Sequence, residues 1–246
     1  MAYKYEIDNK NYEDYASGRV VYNRQGTTAF PIRLASEIFL RCLNILQSDG
    51  LDGPYTIYDP CCGGGFMLTA IGFLHGAQIG RIYASDINKD AVALANRNLS
   101  LLLLPGINNR IEQINQMIRD YQKPSHKEAL ESALKLKERA RYINFTANPN
   151  CFTADITNEI RGKVEHVNII MTDLPYGDVV QWSNNQGQGK AVERMLNNLI
   201  PVLDNKSVIA IIAREKLIVK CENFRRVDHF KLGKRYVTFL RLLKSI

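Results

Sequence analysis

The sequence predicts an α/β fold built on a doubly wound, mostly parallel sheet that ends in an antiparallel hairpin. Short apolar runs alternate with segments of helical length through most of the 246 residues, as in parallel sheets with helices on both faces. A glycine turn at residues 63–65 follows the first apolar run and opens a helical segment, which is typical of nucleotide-binding sheets. Residues 225–232 and 235–243 are separated only by Gly233-Lys234, which indicates the hairpin.

Local signals place the individual elements. Proline is tolerated in the first turn of a helix, so Phe30-Pro31 is expected to begin a helix over residues 32–46. Asn88 is a suitable N-cap for a helix over residues 89–103, and Pro105-Gly106 interrupts that pattern. The other predicted strands cover residues 55–59, 81–86, 150–153, 167–171 and 207–213, and the other predicted helices cover residues 66–75 and 190–203.

The chain has the length of one domain, and a polar block interrupts its alternating pattern. Residues 105–145 are helical in character and divide near Pro124-Ser125. We therefore expect one domain over residues 1–246, with an N-terminal helical extension (1–50), a core (51–104 and 146–246) and a helical insertion (105–145).

Positive charge is concentrated in two parts of the chain. The net charge is +7, and residues 204–246 carry 11 Lys and Arg against 4 Asp and Glu. Residues 105–145 carry 8 basic against 5 acidic side chains, whereas the rest is neutral or slightly acidic. Clustered positive charge predicts a polyanionic partner, and solubilising surface charge is the alternative.

Other features of the composition exclude several classes of protein. No apolar stretch is long enough to span a membrane, and the N-terminus lacks a secretory signal, so a cytoplasmic location is expected. The five cysteines include no Cys-x-x-Cys pair, and the four histidines show no ligand spacing, so we expect no metal and no disulfide framework. A monomer is expected.

The segment Asp59-Pro60-Cys61-Cys62-Gly63-Gly64-Gly65 predicts a cofactor site. Asp86 follows Gly65 by 21 residues, the spacing at which an acid meets ribose hydroxyls in doubly wound folds. The turn lacks the third spaced glycine of a dinucleotide site, and Asp59 would repel a pyrophosphate. S-adenosylmethionine fits better, with its α-amine at Asp59, its ribose at Asp86 and its adenine amine at Asp155.

A second cluster, Asp173-Leu174-Pro175-Tyr176, follows a predicted strand. The carboxylate and the carbonyls before the proline can accept hydrogen bonds from an amine, and the tyrosine can stack on a base. A turn cap for Asp173 and core packing for Tyr176 are the structural alternatives. Trp182 and residues 183–189 form either a lid over the base or an ordinary loop.

In these two clusters the chain resembles class I S-adenosylmethionine-dependent methyltransferases, which have a Rossmann-like sheet. It is most similar to the avilamycin-resistance rRNA methyltransferases, which modify a guanine of large-subunit ribosomal RNA. The residues that carry the likeness are Phe30-Pro31-Ile32-Arg33-Leu34-Ala35-Ser36-Glu37-Ile38, Asp59-Pro60-Cys61-Cys62-Gly63, Ala84-Ser85-Asp86, Lys123-Pro124-Ser125 and Thr172-Asp173-Leu174-Pro175-Tyr176-Gly177.

The resemblance implies methyl transfer to a guanine, which we expect at the exocyclic N2, and resistance to an orthosomycin-type antibiotic. The expected catalytic residues are Asp173, Leu174, Pro175 and Tyr176. The expected cofactor contacts are Asp59, Cys61, Gly63, Gly65, Asp86, Ile87, Asp155, Ile156 and Asp173. The expected RNA contacts are Arg19, Arg33, Lys123, Arg225, Arg226, Lys234 and Arg235, although Arg33 could instead pair with Glu37 on its own helix. The helical insertion (105–145) is expected to face the RNA.

Three other functions stay open at this point. The first is a methyltransferase acting on adenine or on a protein glutamine amide, because the same cluster grips any planar amine. The second is a nucleotide-binding oxidoreductase, which the glycine pattern disfavours. The third is a non-catalytic RNA-binding module, which the three acids Asp59, Asp86 and Asp173 disfavour.

Overall fold

A computed structural model describes residues 3–24, 30–160, 162–174, 188–216 and 221–243. Its centre is a seven-stranded sheet with the order β3-β2-β1-β4-β5-β7-β6. The strands are β1 (Tyr55–Asp59), β2 (Ile79–Asp86), β3 (Asn150–Thr153), β4 (Val167–Asp173), β5 (Leu203–Ala213), β6 (Phe224–Leu232) and β7 (Arg235–Leu242). Strands β1 to β5 run parallel, and β7 pairs antiparallel with β5 and β6. The predicted fold class is confirmed.

Helices cover both faces of this sheet. They are α1 (Ile32–Ser48), α2 (Phe66–His75), α3 (Lys89–Ser100), α4 (Leu104–Tyr121), α5 (Pro124–Ala140) and α6 (Gln188–Leu199). Apolar side chains of α1, α2 and α3 form one core with the sheet, and α4 and α5 pack on α2, α3 and each other. Side chains of α6 form a second core on the opposite face. Within the described residues, no helix is long and apolar enough to cross a membrane.

Buried polar contacts fix the N-terminal segment to α1. The carboxylate of Glu37 accepts hydrogen bonds from the backbone amides of Lys4, Tyr5 and Glu6 at 2.7–2.8 Å, and it pairs with Arg41 at 2.8 Å. Burial alone would favour the protonated acid, but these donors hold the pKa of Glu37 below its ordinary value. The segment is therefore part of the folded body.

The boundary between α3 and α4 differs from the prediction. Helix α3 ends at Ser100 rather than at residue 103, because Leu101 and Leu102 turn into the core. Pro105 does not interrupt a helix but lies in the first turn of α4, where its missing N–H is not needed. A Cβ on Gly106 would lie 2.0 Å from the Ser100 carbonyl oxygen, so only glycine allows this close approach.

Candidate functional site

Four carboxylates meet at one edge of the sheet. Asp59, Asp86 and Asp173 are the last residues of β1, β2 and β4, and Asp155 follows β3 by two residues. The strand order β3-β2-β1-β4 makes these four strands consecutive neighbours, and parallel strands present their carboxyl ends at the same edge. The chain order reverses between β1 and β4, where open α/β sheets bind their ligands.

The strand register places these acids at different levels along the sheet edge, so that they line a concave surface. Asp59 pairs in register with Ala84, so Asp86 extends two residues farther along β2. Tyr58 pairs with Ile170, so Asp173 also extends two residues beyond the level of Asp59. At about 3.3 Å per residue, Asp59 lies recessed by about 7 Å between two flanking carboxylates.

The glycine turn is shaped by its contacts with α3. Gly63 and Gly65 have φ values of 51° and 72°, which favour glycine. A Cβ on Gly65 would lie 3.0 Å from Cα and Cβ of Ala95, whereas a Cβ on Gly63 would meet nothing within 4 Å. The turn therefore packs tightly on α3 at Gly65 and leaves open space at Gly63, where a ligand can approach the backbone.

Asp86 joins this turn to the start of α3. Its carboxylate accepts the Gly63 amide at 2.9 Å through one oxygen and the Asn88 amide at 2.9 Å through the other. Each oxygen keeps a second lone pair for a ligand hydroxyl. The adjacent Ile87 is 54% exposed, an apolar surface of the kind on which an adenine ring packs.

The recessed Asp59 is poorly solvated. Its side chain is 2% exposed and accepts the Cys61 amide at 3.0 Å. Burial raises the pKa of Asp59 to about 8, and the carboxylates of Asp86 and Asp173 act in the same direction. A ligand cation placed here would offset both effects, which fits the α-ammonium of an amino-acid tail.

Asp155 differs from the other three acids. Its Oδ1 accepts from the Thr157 amide at 2.9 Å and the Thr157 hydroxyl at 2.7 Å, and its Oδ2 accepts from Asn158 at 3.3 Å. It therefore organises a turn. Ile156 beside it is buried, and its carbonyl accepts the side-chain amide of Asn198 at 2.9 Å.

The expected catalytic cluster is described only in its first half. Asp173 ends β4, and the amide of the fully buried Leu174 donates to the Ile212 carbonyl at 2.9 Å. Strand β5 thus fixes the direction in which the chain leaves the sheet. Pro175 and Tyr176 lie outside the described residues, as do Trp182 and residues 183–187 of the segment that was expected to be either a lid or an ordinary loop.

The surroundings of the two cysteines near the site, Cys61 and Cys62, disfavour the reactive thiolate form. Burial raises the pKa of the Cys61 thiol, and the neighbouring Asp59 raises it further. Cys61 contributes its backbone amide to Asp59 instead. Within the described residues, no group of three or more His, Cys, Asp or Glu side chains is placed to hold a metal ion.

Two expected RNA contacts lie beside the site. Tyr236 pairs with Ala213 at the carboxyl end of β5, so Lys234 in the hairpin turn and Arg235 at the start of β7 lie at the same edge as Asp173. The guanidinium of Arg235 lies 5.2 Å from the Phe30 ring, and its buried Nε has no hydrogen-bond partner within the described residues.

Two further expected contacts lie away from that edge. Arg226 pairs with Leu240 of β7, and Leu240 pairs with Ile209 of β5. Asp173 pairs with Ile212, which lies three residues farther along β5. Arg226 and the preceding Arg225 therefore lie about 10 Å or more toward the opposite edge. The expected RNA contacts therefore do not form one continuous surface around the pocket.

The last three expected contacts lie on the helical side. Arg33 donates to the backbone carbonyls of Glu6 and Ile7 at 2.8–3.0 Å, while Glu37 pairs with Arg41 rather than with Arg33. Arg19 pairs with Glu128 of α5 at 3.1 Å. Lys123 is exposed between α4 and α5.

Asn98 is a site residue that the sequence analysis missed. It is fully buried on α3, donates to the Gly64 carbonyl at 2.8 Å, and exchanges two hydrogen bonds with the backbone of Tyr22 at 2.8 and 3.1 Å. It thereby ties the N-terminal segment to the glycine turn. The sequence feature that could have identified it is an amide side chain on the apolar stripe formed by Val92, Ala95 and Leu99.

Comparisons with known proteins agree with this geometry. The family model for the rRNA methyltransferase AviRa matches residues 1–235. A 23S rRNA (guanine(2535)-N(1))-methyltransferase of Streptomyces viridochromogenes is 32% identical over 246 residues, covering 98% of this chain and 96% of that protein. A solved structure of rRNA methyltransferase aviRa from the same organism has a TM-score of 0.86 at 32% identity, covering 98% of this chain and 96% of that one. TrmN from Thermus thermophilus, at 14% identity, covers 88% of this chain and 50% of its own and shares the fold with a TM-score of 0.54.

The sheet order, the glycine turn and the carboxylates at the strand ends define a class I S-adenosylmethionine-dependent methyltransferase. S-adenosylmethionine is its methyl donor, as predicted from the acids. The chain belongs to the rRNA methyltransferase AviRa family, which confirms the family prediction. The name of the Streptomyces relative specifies the ring nitrogen N1, whereas we expected the exocyclic N2 for this chain.

Proposed function

We propose that the protein methylates N1 of a guanine in 23S ribosomal RNA. The observation that carries this proposal is the 32% identity, over 98% of the chain, to an enzyme whose name states that activity. The concave group of acids around Asp59 and the Lys234–Arg235 turn beside it support the proposal, because they offer a cofactor pocket next to cationic side chains. We further propose a cytoplasmic location, where ribosomal RNA is modified, and a monomeric protein.

In guanine, N1 and the exocyclic N2 lie on the same edge of the base. This explains why a motif that binds exocyclic amines also fits N1. In neutral guanine, N1–H and the exocyclic N2–H lie side by side and point in the same direction. One carboxylate can accept from both, through its two oxygens. Asp173 therefore recognises the same edge whichever nitrogen reacts, and the sequence motif alone does not distinguish them.

In the proposed reaction Asp173 has a definite task. N1 of neutral guanine carries a proton and must lose it as its electron pair forms the bond to carbon. When bound, S-adenosylmethionine supplies an electrophilic methyl group on a positively charged sulfur, which keeps the electron pair of the broken bond. Asp173 accepts the N1 proton and holds the N2–H, so it combines base and positioning roles.

The remaining acids hold the cofactor. Asp59 would take the α-ammonium, Asp86 the ribose hydroxyls and Asp155 the adenine amine. Gly63 and Gly65 shape the backbone around it. Cys61 contributes an amide rather than a thiol, and Ile87 and Ile156 would flank the adenine.

The cations at the same edge would bind phosphates near the target nucleotide. Arg235 fits this role because a buried guanidinium N–H without a partner is costly until an acceptor arrives. Lys234 and the exposed Lys216, which follows β5, extend the same rim. Of the other expected contacts, Arg225 and Arg226 lie too far from the pocket to touch the target guanine.

The test is methylation of protein-free 23S rRNA transcribed in vitro, with labelled S-adenosylmethionine. A methyl on N1 blocks base pairing and stops reverse transcription, whereas a single methyl on N2 does not, and mass spectrometry of the nucleosides identifies the product. Asp173→Asn should lose most activity, and Asp52→Asn, an exposed acid that precedes β1, should retain it. Incorporation into DNA or protein in place of RNA would contradict the proposal.

Antibiotic resistance is the proposed physiological outcome, following the resemblance of the chain to the avilamycin-resistance enzymes. Expression in a susceptible host should raise the inhibitory concentration of an orthosomycin, and Asp173→Asn should not. Equal susceptibility with both proteins, despite full methylation by the wild type, would assign the methyl group a housekeeping role.

A further inference from the structure

We propose that the tip of the α4–α5 hairpin is a second RNA contact, at which an unpaired base of the substrate stacks on Tyr121. The helical tip is defined as residues 119–127. This inference rests on the proposed function, because its partner is the same RNA whose guanine is methylated.

Tyr121 is an exposed aromatic side chain flanked by basic groups. It is 63% exposed at the last residue of α4. The Lys123 ammonium lies 5.8 Å from its ring centroid, and the His126 ring stands nearly perpendicular to it at 5.9 Å. His126 is held in turn by the Met117 carbonyl at 3.1 Å. Exposed aromatic rings supported in this way provide stacking platforms for unpaired bases.

The backbone of the helical tip adopts a costly conformation. Gln122 has a φ of 50° and closes α4 with a hydrogen bond from its amide to the Ile118 carbonyl at 3.0 Å. A left-handed residue other than glycine costs about 1 kcal/mol, and glycine would be the usual choice at this position. Such residues cluster at functional sites, and this one lies next to Tyr121.

The charge of the helical tip favours a polyanion. Residues 119–127 include Arg119, Lys123 and Lys127 against the single acid Asp120. Asp120 accepts the side-chain amide of Gln116 at 2.8 Å. An exposed aromatic within a basic surface suits a single-stranded nucleic acid better than a protein surface, whose contact regions are depleted in lysine.

The position of the helical tip separates this contact from the target guanine. Helix α5 packs on α2 and on the 3-10 turn Glu13–Tyr15, where Ser132 donates to Asp14 at 2.7 Å. The α4–α5 hairpin therefore forms a layer outside the helices that cover the sheet. We infer that its tip contacts a nucleotide other than the methylated one and selects RNA with the correct three-dimensional fold.

The chain offers a matched control in Tyr142. This tyrosine is 73% exposed and lies just beyond the other end of α5, which is 17 residues and about 25 Å long. Its neighbour Arg141 pairs with Glu138 at 2.8 Å. Tyr142→Ala removes as much exposed aromatic surface as Tyr121→Ala does, but far from the helical tip.

The experiment measures binding of protein-free 23S rRNA, transcribed in vitro, to the protein saturated with S-adenosylhomocysteine. Tyr121→Ala should weaken binding about 5- to 150-fold, the range that base–aromatic stacking allows, and Tyr121→Phe should stay within about twofold. Lys123→Ala should weaken binding and reduce the slope of log K against log salt by about 1. Affinity for S-adenosylhomocysteine should be unchanged in all variants, which shows that they are folded.

Three results would overturn the inference. Tyr121→Ala could bind RNA as the wild type does, Tyr142→Ala could weaken binding equally, or the loss could occur only with the intact large subunit, which would indicate a ribosomal protein partner. Failure of the proposed function is visible separately, because the wild type itself would then leave 23S rRNA unmethylated.

Discussion

The buried Asp59 makes cofactor binding depend on pH. Its carboxyl has a pKa of about 8 in the free protein, against an ordinary value of 3.8, chiefly because burial disfavours the charge. A bound α-ammonium needs the ionised acid, so binding requires the loss of a proton below pH 8. The affinity should therefore rise about tenfold for each pH unit between pH 5.5 and 7.5, about 100-fold in all.

Calorimetry with S-adenosylhomocysteine, which carries the same ammonium, measures this dependence directly. Titrations at pH 5.5, 6.5 and 7.5 in two buffers of different ionisation enthalpy give both Kd and the number of protons released, which should approach one. Asp59→Asn should bind weakly and without the pH slope. A Kd that does not change with pH in the wild type, or a slope that persists in Asp59→Asn, would refute the assignment of the ammonium to Asp59.

The same residue should destabilise the free protein at higher pH. Between about pH 4 and 8 the carboxyl of Asp59 is protonated in the folded state but ionised in the unfolded state. Its contribution to stability is therefore fully present below pH 4 and is lost as pH rises through the folded pKa. The slope is at most about 1.4 kcal/mol per pH unit. Asp59→Asn should therefore raise the melting temperature at pH 8 while it abolishes activity, a trade-off expected at functional sites. An unchanged or lower melting temperature would contradict this account.

Further predictions concern the surroundings of the pocket. Gly65→Ala should weaken cofactor binding and lower stability by about 1–3 kcal/mol, because the new methyl group contacts α3. Gly162→Ala is the control, because Gly162 has a similar φ of 76° but open space around the position of a Cβ. Its loss of stability measures the cost of backbone strain alone. Asn98→Ala should raise the KM for the cofactor about 10-fold with a smaller change in kcat, because the glycine turn loses its buried tie. Burial lowers the pKa of His75 to about 4, so the contribution of this group to stability falls from pH 6.5 toward pH 4 and opposes that of Asp59 in this range. In urea denaturation, His75→Gln should therefore gain stability relative to the wild type as pH falls from 6.5 to 4, by at most about 1.4 kcal/mol per pH unit. An identical pH dependence in His75→Gln and the wild type, or a proportional loss of kcat in Asn98→Ala, would count against the respective assignment.

The elements that could be read from the sequence are those with strong local signals. Helix α2 and strand β3 match their predicted bounds, because a glycine turn and short apolar runs with polar flanks mark them. The Asn88 cap is confirmed, with its side chain accepting the amides of Asp90 and Ala91. The end of α3 was misplaced because the buried leucines that follow it continue the apolar pattern although the backbone has already turned.

The roles of the candidate RNA contacts, in contrast, could not be predicted from local signals. Basic residues are easy to find in a sequence, but their roles depend on what lies opposite them. Arg33 was a plausible RNA contact until the fold placed the carbonyls of Glu6 and Ile7 beside its guanidinium. Arg225 and Arg235 are only ten positions apart, yet the strand register puts them at different distances from the pocket.

The sequence by itself determined the alternation of strands and helices, the glycine turn and the identity of the acids, because these follow from local periodicity and from chemistry at short spacing. Only the tertiary structure decided that Asp59 is recessed between Asp86 and Asp173 at the edge of the sheet. It also decided that Asn98 ties Tyr22 to the glycine turn. Burial and register depend on which strands become neighbours, and that choice is made by packing the whole chain at once.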